Sequence, residues 1–249
     1  MGTESSKKVK KEKNLDFFDL VRQRRSIRKF SNESVPDEII MKALNAALLA
    51  ANSSNLQPWE FYWVKDKSKK KDLVKACFSQ NAAETAQELI VAVSRIDTWK
   101  RNRDLILNDL KKNNKMLPII EKYYNKVVPI SYMHDTIGIL GIVKKIISIF
   151  MNIIGIFKPM PRGPIFRHDV FEIVTKSTAL ACQNFMMALV SQGYDSCPME
   201  GFDDKRVKKL LKLNNKSHVV MVLGVGKADP KGIYGERFRI DDDLVIKII

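Results

Sequence analysis

Three arginines and a serine stand within five residues in Arg24-Arg25-Ser26-Ile27-Arg28, with Lys29 and Phe30 following. Such a set can hold a phosphate through bidentate, charge-assisted hydrogen bonds. Without that ligand, cations at the end of a helix only complement its dipole. A second cluster, Asn52-Ser53-Ser54-Asn55-Leu56-Gln57-Pro58-Trp59, is either a polar loop closed by a proline turn or a wall of amides and hydroxyls for a ligand rich in heteroatoms. A third, Asp195-Ser196-Cys197-Pro198-Met199-Glu200-Gly201-Phe202, ends a strand in Pro and Gly. It is a simple turn, or a place where bare backbone amides meet a planar ligand, since Gly permits close approach. Arg237-Phe238-Arg239 is the fourth, with both guanidinium groups on one face of an extended chain.

Other chemistries lack their motifs. No G-x-G-x-x-G follows a strand, and neither a G-x-x-x-x-G-K-[ST] loop nor a G-x-S-x-G elbow occurs. His134, His168 and His218 have no partner at i,i+4, and Cys77, Cys182 and Cys197 have no C-x-x-C spacing, which argues against a zinc or dithiol site. Three cysteines form no disulfide framework and suit a reducing, cytoplasmic compartment. No apolar stretch follows the first basic residues, so no secretory signal is expected.

The elements that must position these clusters follow from periodicity. The 249 residues are 45% hydrophobic and 29% charged, an ordinary globular balance that argues against disorder. Residues 1–14 read as a flexible basic tail, and 15–249 as a single domain with an apolar helical insertion at about 129–168. Helical spacing is expected from Leu15 to Arg25, Pro36 to Ala51, Ser68 to Phe78, Thr98 to Tyr124, Asp169 to Gln192 and Asp203 to Leu213. Strands are expected at Phe61–Val64, Leu89–Val93, Tyr194–Cys197 and Val219–Val225, the last broken by Gly224 and Gly226; the final two dozen residues read as extended. Helices and strands mix without a strict βαβ rhythm, which points to an α+β fold.

Charge and one apolar run stand apart. Lys and Arg number 43 against 28 Asp and Glu, a formal +15. This is a solvated surface, or an attraction to nucleic acid, anionic lipid or phosphorylated small molecules. Aromatic and basic residues do not interleave in a stacking pattern, so no nucleic-acid partner is expected. Ile137 to Phe157 carries only Lys144 and Lys145 as charges, and two adjacent lysines near its middle argue against a membrane span. Gly138, Gly141, Lys145, Ser148, Asn152 and Gly155 form one narrow small or polar stripe. Such a helix packs into protein, a partner subunit included, or meets a membrane interface or a lipophilic ligand. Peripheral membrane contact would run through 137–157 and the basic tail, where Met1-Gly2-Thr3-Glu4-Ser5-Ser6 matches a loose N-myristoylation pattern.

The order and spacing of the four clusters resemble the FMN-dependent nitroreductase family (NAD(P)H:flavin oxidoreductase-like), over about residues 15–128 and 169–245. The resemblance implies a central, mostly antiparallel sheet flanked by helices, in an intertwined homodimer with FMN at the subunit interface. By position, Arg24, Arg25 and Ser26 match the family's phosphate-binding residues, and Arg237 and Arg239 the basic pair that meets the same phosphate. Arg28 matches the cation beside the flavin's pyrimidine edge, where it would stabilise reduced flavin. Asn52, Ser53 and Asn55 match the loop supplied by the second subunit, and Gln80 an amide contacting the pyrimidine ring. Pro198, Met199, Glu200 and Gly201 match the segment whose backbone amides lie near N5 and O4. The implied reaction is ping-pong: NADH or NADPH delivers a hydride to the flavin, and an organic oxidant of nitroaromatic or quinone type then collects it. No catalytic acid or nucleophile is implied, and Cys197 reads as a packing residue. Ala51 stands where many members have a proline, and Ala83 where some place a lysine near the flavin ring. Alternatives are a specialised member, such as a reductive dehalogenase or biosynthetic dehydrogenase, and a non-redox basic scaffold binding membrane or nucleic acid.

Overall fold

A computed structural model describes residues 16–134 and 139–249. The expected tail, residues 1–14, and residues 137 and 138 of the apolar run lie outside the described residues. Two helices open the chain, α1 (Phe17–Gln23) and α2 (Asp37–Leu48), followed by β1 (Trp59–Trp63), α3 (Lys67–Ala76), α4 (Asn81–Glu84) and β2 (Glu88–Arg95). Next come α5 (Trp99–Lys112), α6 (Pro118–Lys122), α7 (Val128–Tyr132), α8 (Ile139–Ile154) and α9 (Arg167–Ser191). The chain closes through β3 (Asp195–Met199), α10 (Asp204–Leu210), β4 (Ser217–Gly226) and α11 (Asp242–Val245).

The four strands form one antiparallel sheet in the order β1-β2-β4-β3, as the α+β expectation requires. Alternation along β2 sends Leu89, Val91 and Val93 to one face and Ile90 and Ala92 to the other. The first face is covered by Leu73 and Ala76 of α3 and Val207 of α10, the second by α2 and α9. A bulge between Ala92 and Val93 leaves Val220 opposite no single residue, so Val220 and Met221 turn to the same face. In α9, Val170, Val174, Ala181, Cys182, Phe185 and Leu189 recur at helical spacing and are buried, which makes it the core helix.

Three expectations need correction. The predicted helix Thr98–Tyr124 is broken after Lys112, because Asn113 caps it, Asn114 takes a left-handed φ of 54°, and Pro118 starts α6. Gly224 and Gly226 do not break β4 but lie within it. A Cβ on Gly224 would stand 2.7 Å from the carbonyl oxygen of Ala82, and one on Gly226 would stand 2.9 Å from the ring of Phe30. The final two dozen residues are not extended throughout: Asp242 and Asp243, acids at a helix start, open the helical turn α11.

Gly224→Val should therefore lower the urea unfolding free energy by about 2 kcal/mol through overpacking. Gly235→Ala, where an added Cβ meets nothing within 4 Å, should change it by less than about 0.5 kcal/mol.

Candidate functional site

The first arginine cluster is positioned where α1 ends against the sheet edge. Arg24 leaves the helix with ψ 121°, and Ser26 then bridges Ser196 of the edge strand β3 in parallel. The Ile27 amide donates to the Ser196 carbonyl at 3.1 Å, and the Arg28 amide to the Gly232 carbonyl at 2.7 Å. Ile27 is thus buried, while its neighbours keep their side chains toward solvent. Gly232 is required here, since a Cβ would run into the Lys29 carbonyl.

The chain after β4 returns across this edge. Arg237 donates to the carbonyls of Val21, Arg22 and Arg24 at 3.3, 2.8 and 2.5 Å. These belong to the last turn and cap of α1, which lack helical partners. Arg25 donates in turn to the Gly235 carbonyl at 2.7 Å. The result is a cavity of about 260 Å³ lined by Arg24, Arg25, Ser26, Arg28, Arg237 and Arg239 among others. Burial, then the charges of Arg237, Arg239 and Arg25, hold the Arg24 pKa below its ordinary value. Glu236 also lines the cavity, yet none of the five arginines forms an ion pair among the described residues. The hydroxyl of Ser196, beneath Ser26, is buried without a hydrogen-bond partner. Converging cations of this kind, with Ser26 beside them on the lining, fit a phosphate.

The third cluster lies on the same edge. Pro198 costs no ladder bond that an edge strand would miss. Met199 is buried with its side chain in the core, while Pro198 is half-buried. Glu200 and Gly201 emerge exposed at the strand end. Gln80 donates to the carbonyls of Cys77 at 3.1 Å and Gly201 at 2.9 Å, so its amide group clamps the strand end to the close of α3. The Cys197 thiol is buried and its pKa is pushed up by that burial, against the opposing pull of Arg28 and Arg24. This agrees with a packing role.

The second cluster is elsewhere: no residue from 52 to 57 lines the arginine cavity. The loop carries positive φ at Ser54, Asn55 and Gln57. Asn52 is committed to the loop itself, accepting from the Gln57 amide at 2.7 Å and donating to the Ala50 carbonyl at 3.1 Å. The Ser53 amide donates to the Ser177 hydroxyl of α9 at 3.3 Å. Tyr124 donates to the Ser54 carbonyl at 2.9 Å, and the Tyr123 and Ser54 hydroxyls are 2.7 Å apart. The two tyrosines lie in a turn of π-helix between α6 and α7, and sequence reasoning missed them. Their only signal is the pair of phenols beside the apolar insertion.

Comparison with known proteins settles the family. The nitroreductase family model matches residues 21–139 and 169–227. The chain belongs to the nitroreductase family. MhqN of Bacillus subtilis (strain 168), classed by name among NAD(P)H nitroreductases, is 25% identical over 213 residues, 85% of this chain and 88% of its own. Among solved structures, the B. subtilis nitroreductase ydfN aligns with a TM-score of 0.72 at 20% identity, covering 94% of this chain and 98% of its own. A nitroreductase from Exiguobacterium sibiricum in complex with FMN aligns at 0.67 and 22%, covering 94% and 98%. The segment between the two matched blocks, 140–168, contains nearly all of α8.

Buried thiols give this nitroreductase a pH signature. Burial pushes Cys77 up to about 11 and Cys182 up to about 12 from an ordinary 9.0. A raised folded pKa contributes stability that is complete below the unfolded value and lost as pH rises through the folded one. The urea midpoint should fall progressively above about pH 9. At pH 8, iodoacetamide should leave all three cysteines unmodified until the protein is unfolded, as mass spectrometry would record.

Proposed function

We propose that this chain is an FMN-dependent NAD(P)H oxidoreductase that reduces an organic oxidant of nitroaromatic or quinone type, working as a cytoplasmic homodimer. The observation that carries the reading is the cluster of five arginines, none of them ion-paired among the described residues, around a cavity sized for a small anionic group. Arg24, Arg25, Ser26 and Arg239 would hold the phosphate of FMN. Arg237 contributes charge while its donors fix the wall to α1. Arg28 adds a cation on the same lining, and Gln80 fixes Gly201 so that the exposed amides at the end of β3 keep one orientation. When bound, FMN supplies the hydride chemistry between the nicotinamide and the oxidant. The chain itself binds, orients and balances charge, and its buried, protonated Cys197 supplies no nucleophile. The reductant leaves before the oxidant enters, in ping-pong order.

Two features support the homodimer. The Asn52, Ser53 and Asn55 loop does not line the arginine cavity of its own chain, as a loop serving a partner's cavity would not. Phe17 and Phe18 of α1, together with Phe238, Leu244, Ile248 and Ile249 of the C-terminal arm, are largely exposed. A partner chain would cover this apolar surface.

The test is the visible absorption spectrum of the purified protein, with NADH and NADPH added in separate anaerobic cuvettes. Flavin bands that bleach are expected and identify the reductant; a protein without flavin that takes up none from added FMN overturns the reading. Arg24→Ala and Arg239→Ala should each weaken FMN binding by about 10- to 100-fold, the loss of one charge-assisted contact, with the folded far-UV spectrum retained.

A further inference from the structure

The helix that the family pattern leaves unmatched has an inverted surface. On α8 Gly141 and Ser148 of the small stripe face the protein, Gly141 so close to the Phe166 ring that a Cβ there would stand 2.7 Å from it, while Lys145 and Asn152 of the stripe are exposed. Lys144 folds back to donate to the Met133 carbonyl at 2.7 Å. The opposite side carries Ile142, Ile146, Ile149, Phe150 and Ile153, each more than half exposed, and it runs on into Ile156 and Phe157. An exposed apolar strip this long is not ordinary soluble surface.

Its dimensions and charge indicate what covers it. The sixteen described residues of α8 cover about 24 Å at a rise of about 1.5 Å, against a hydrocarbon core of roughly 30 Å, and Lys144 and Lys145 stand among them, which argues against α8 spanning a bilayer. The described helix that is long and apolar enough to do so, α9, is the half-buried core helix. Cations flank the strip instead. Lys145 is exposed on α8, Lys158 follows it, and the Arg162 guanidinium reaches back over Gly155. From 111 to 168 the sequence holds ten Lys and Arg against two acidic residues, Glu121 and Asp135. A branched-aliphatic and phenylalanine face bordered by lysine and arginine is the signature of a helix lying in the plane of an anionic membrane surface.

We propose that α8 docks this protein on an anionic lipid bilayer, its apolar face at the headgroup–acyl boundary and its cations against lipid phosphates. The surface is independent of the redox reading and is scored without turnover.

The test is co-sedimentation of the full-length protein with vesicles of phosphatidylglycerol and phosphatidylcholine, alongside vesicles of phosphatidylcholine alone. The intact protein should pellet with the anionic vesicles and at least about tenfold less with the neutral ones. Ile146→Asp with Phe150→Asp, both at exposed positions, should reduce pelleting at least about tenfold. Phe150→Trp, a conservative reporter, should shift its emission to the blue on anionic vesicles and be quenched by brominated lipid. The proposal is overturned by an intact protein that stays in the supernatant, by a doubly substituted protein that pellets undiminished, or by a tryptophan that ignores the lipid. It is equally overturned if light scattering shows the double substitution halving the oligomer, because the strip is then covered by a second copy.

Discussion

Double-sided burial of β2 and β4 constrains everything else in this protein. Both strands are apolar along nearly their full length, so each face of the sheet must be covered, α3 and α10 taking one and α2 and α9 the other. Four strands in the order β1-β2-β4-β3 then leave β3 as an edge with unpaired backbone groups. Ser26, Ile27 and the turn through Gly232 occupy that edge. The arginine cluster thus sits beside the exposed end of β3 because the core leaves no other edge on that side of β4.

Holding guanidinium groups together costs electrostatic free energy, and the fold offsets part of it without carboxylates. Arg237 spends its donors on three carbonyls at the end of α1, where the helix dipole is negative, and Arg25 spends one on Gly235. These bonds settle the C-terminal segment against the first helix, joining residues more than 200 apart in sequence. They leave the positive charge itself unneutralised, so the same contacts that close the tertiary structure keep the cavity suited to an anion.

Polar groups elsewhere are arranged with similar economy. Gln80 uses one amide nitrogen to join α3 to the end of β3, and two tyrosines secure a loop whose backbone holds three residues at positive φ. Such strained residues persist only when surrounding contacts over-determine them. Apolar surface is handled differently. The strip on α8, the outer face of α1 and the C-terminal arm all stay uncovered in one chain.

The sequence by itself determined the α+β class, the position of the four strands and of the longer helices, and the four clusters. These depend on local periodicity and on residue chemistry that neighbours cannot alter: guanidinium is cationic in any fold, and short β-branched apolar runs bounded by turn residues suit buried strands. It also marked the small stripe of α8. Only the tertiary structure decided which clusters meet. It placed Arg237 on the α1 carbonyls, set Gln80 on Gly201, and kept Asn52 away from the arginine cavity, because these contacts join segments far apart in the chain. It reversed one local reading, since the glycines of β4 are spaces filled by Phe30 and Ala82. Periodicity specifies that a helix or strand has an apolar face; which face is covered, and by what, is fixed only when distant elements compete for the same buried volume.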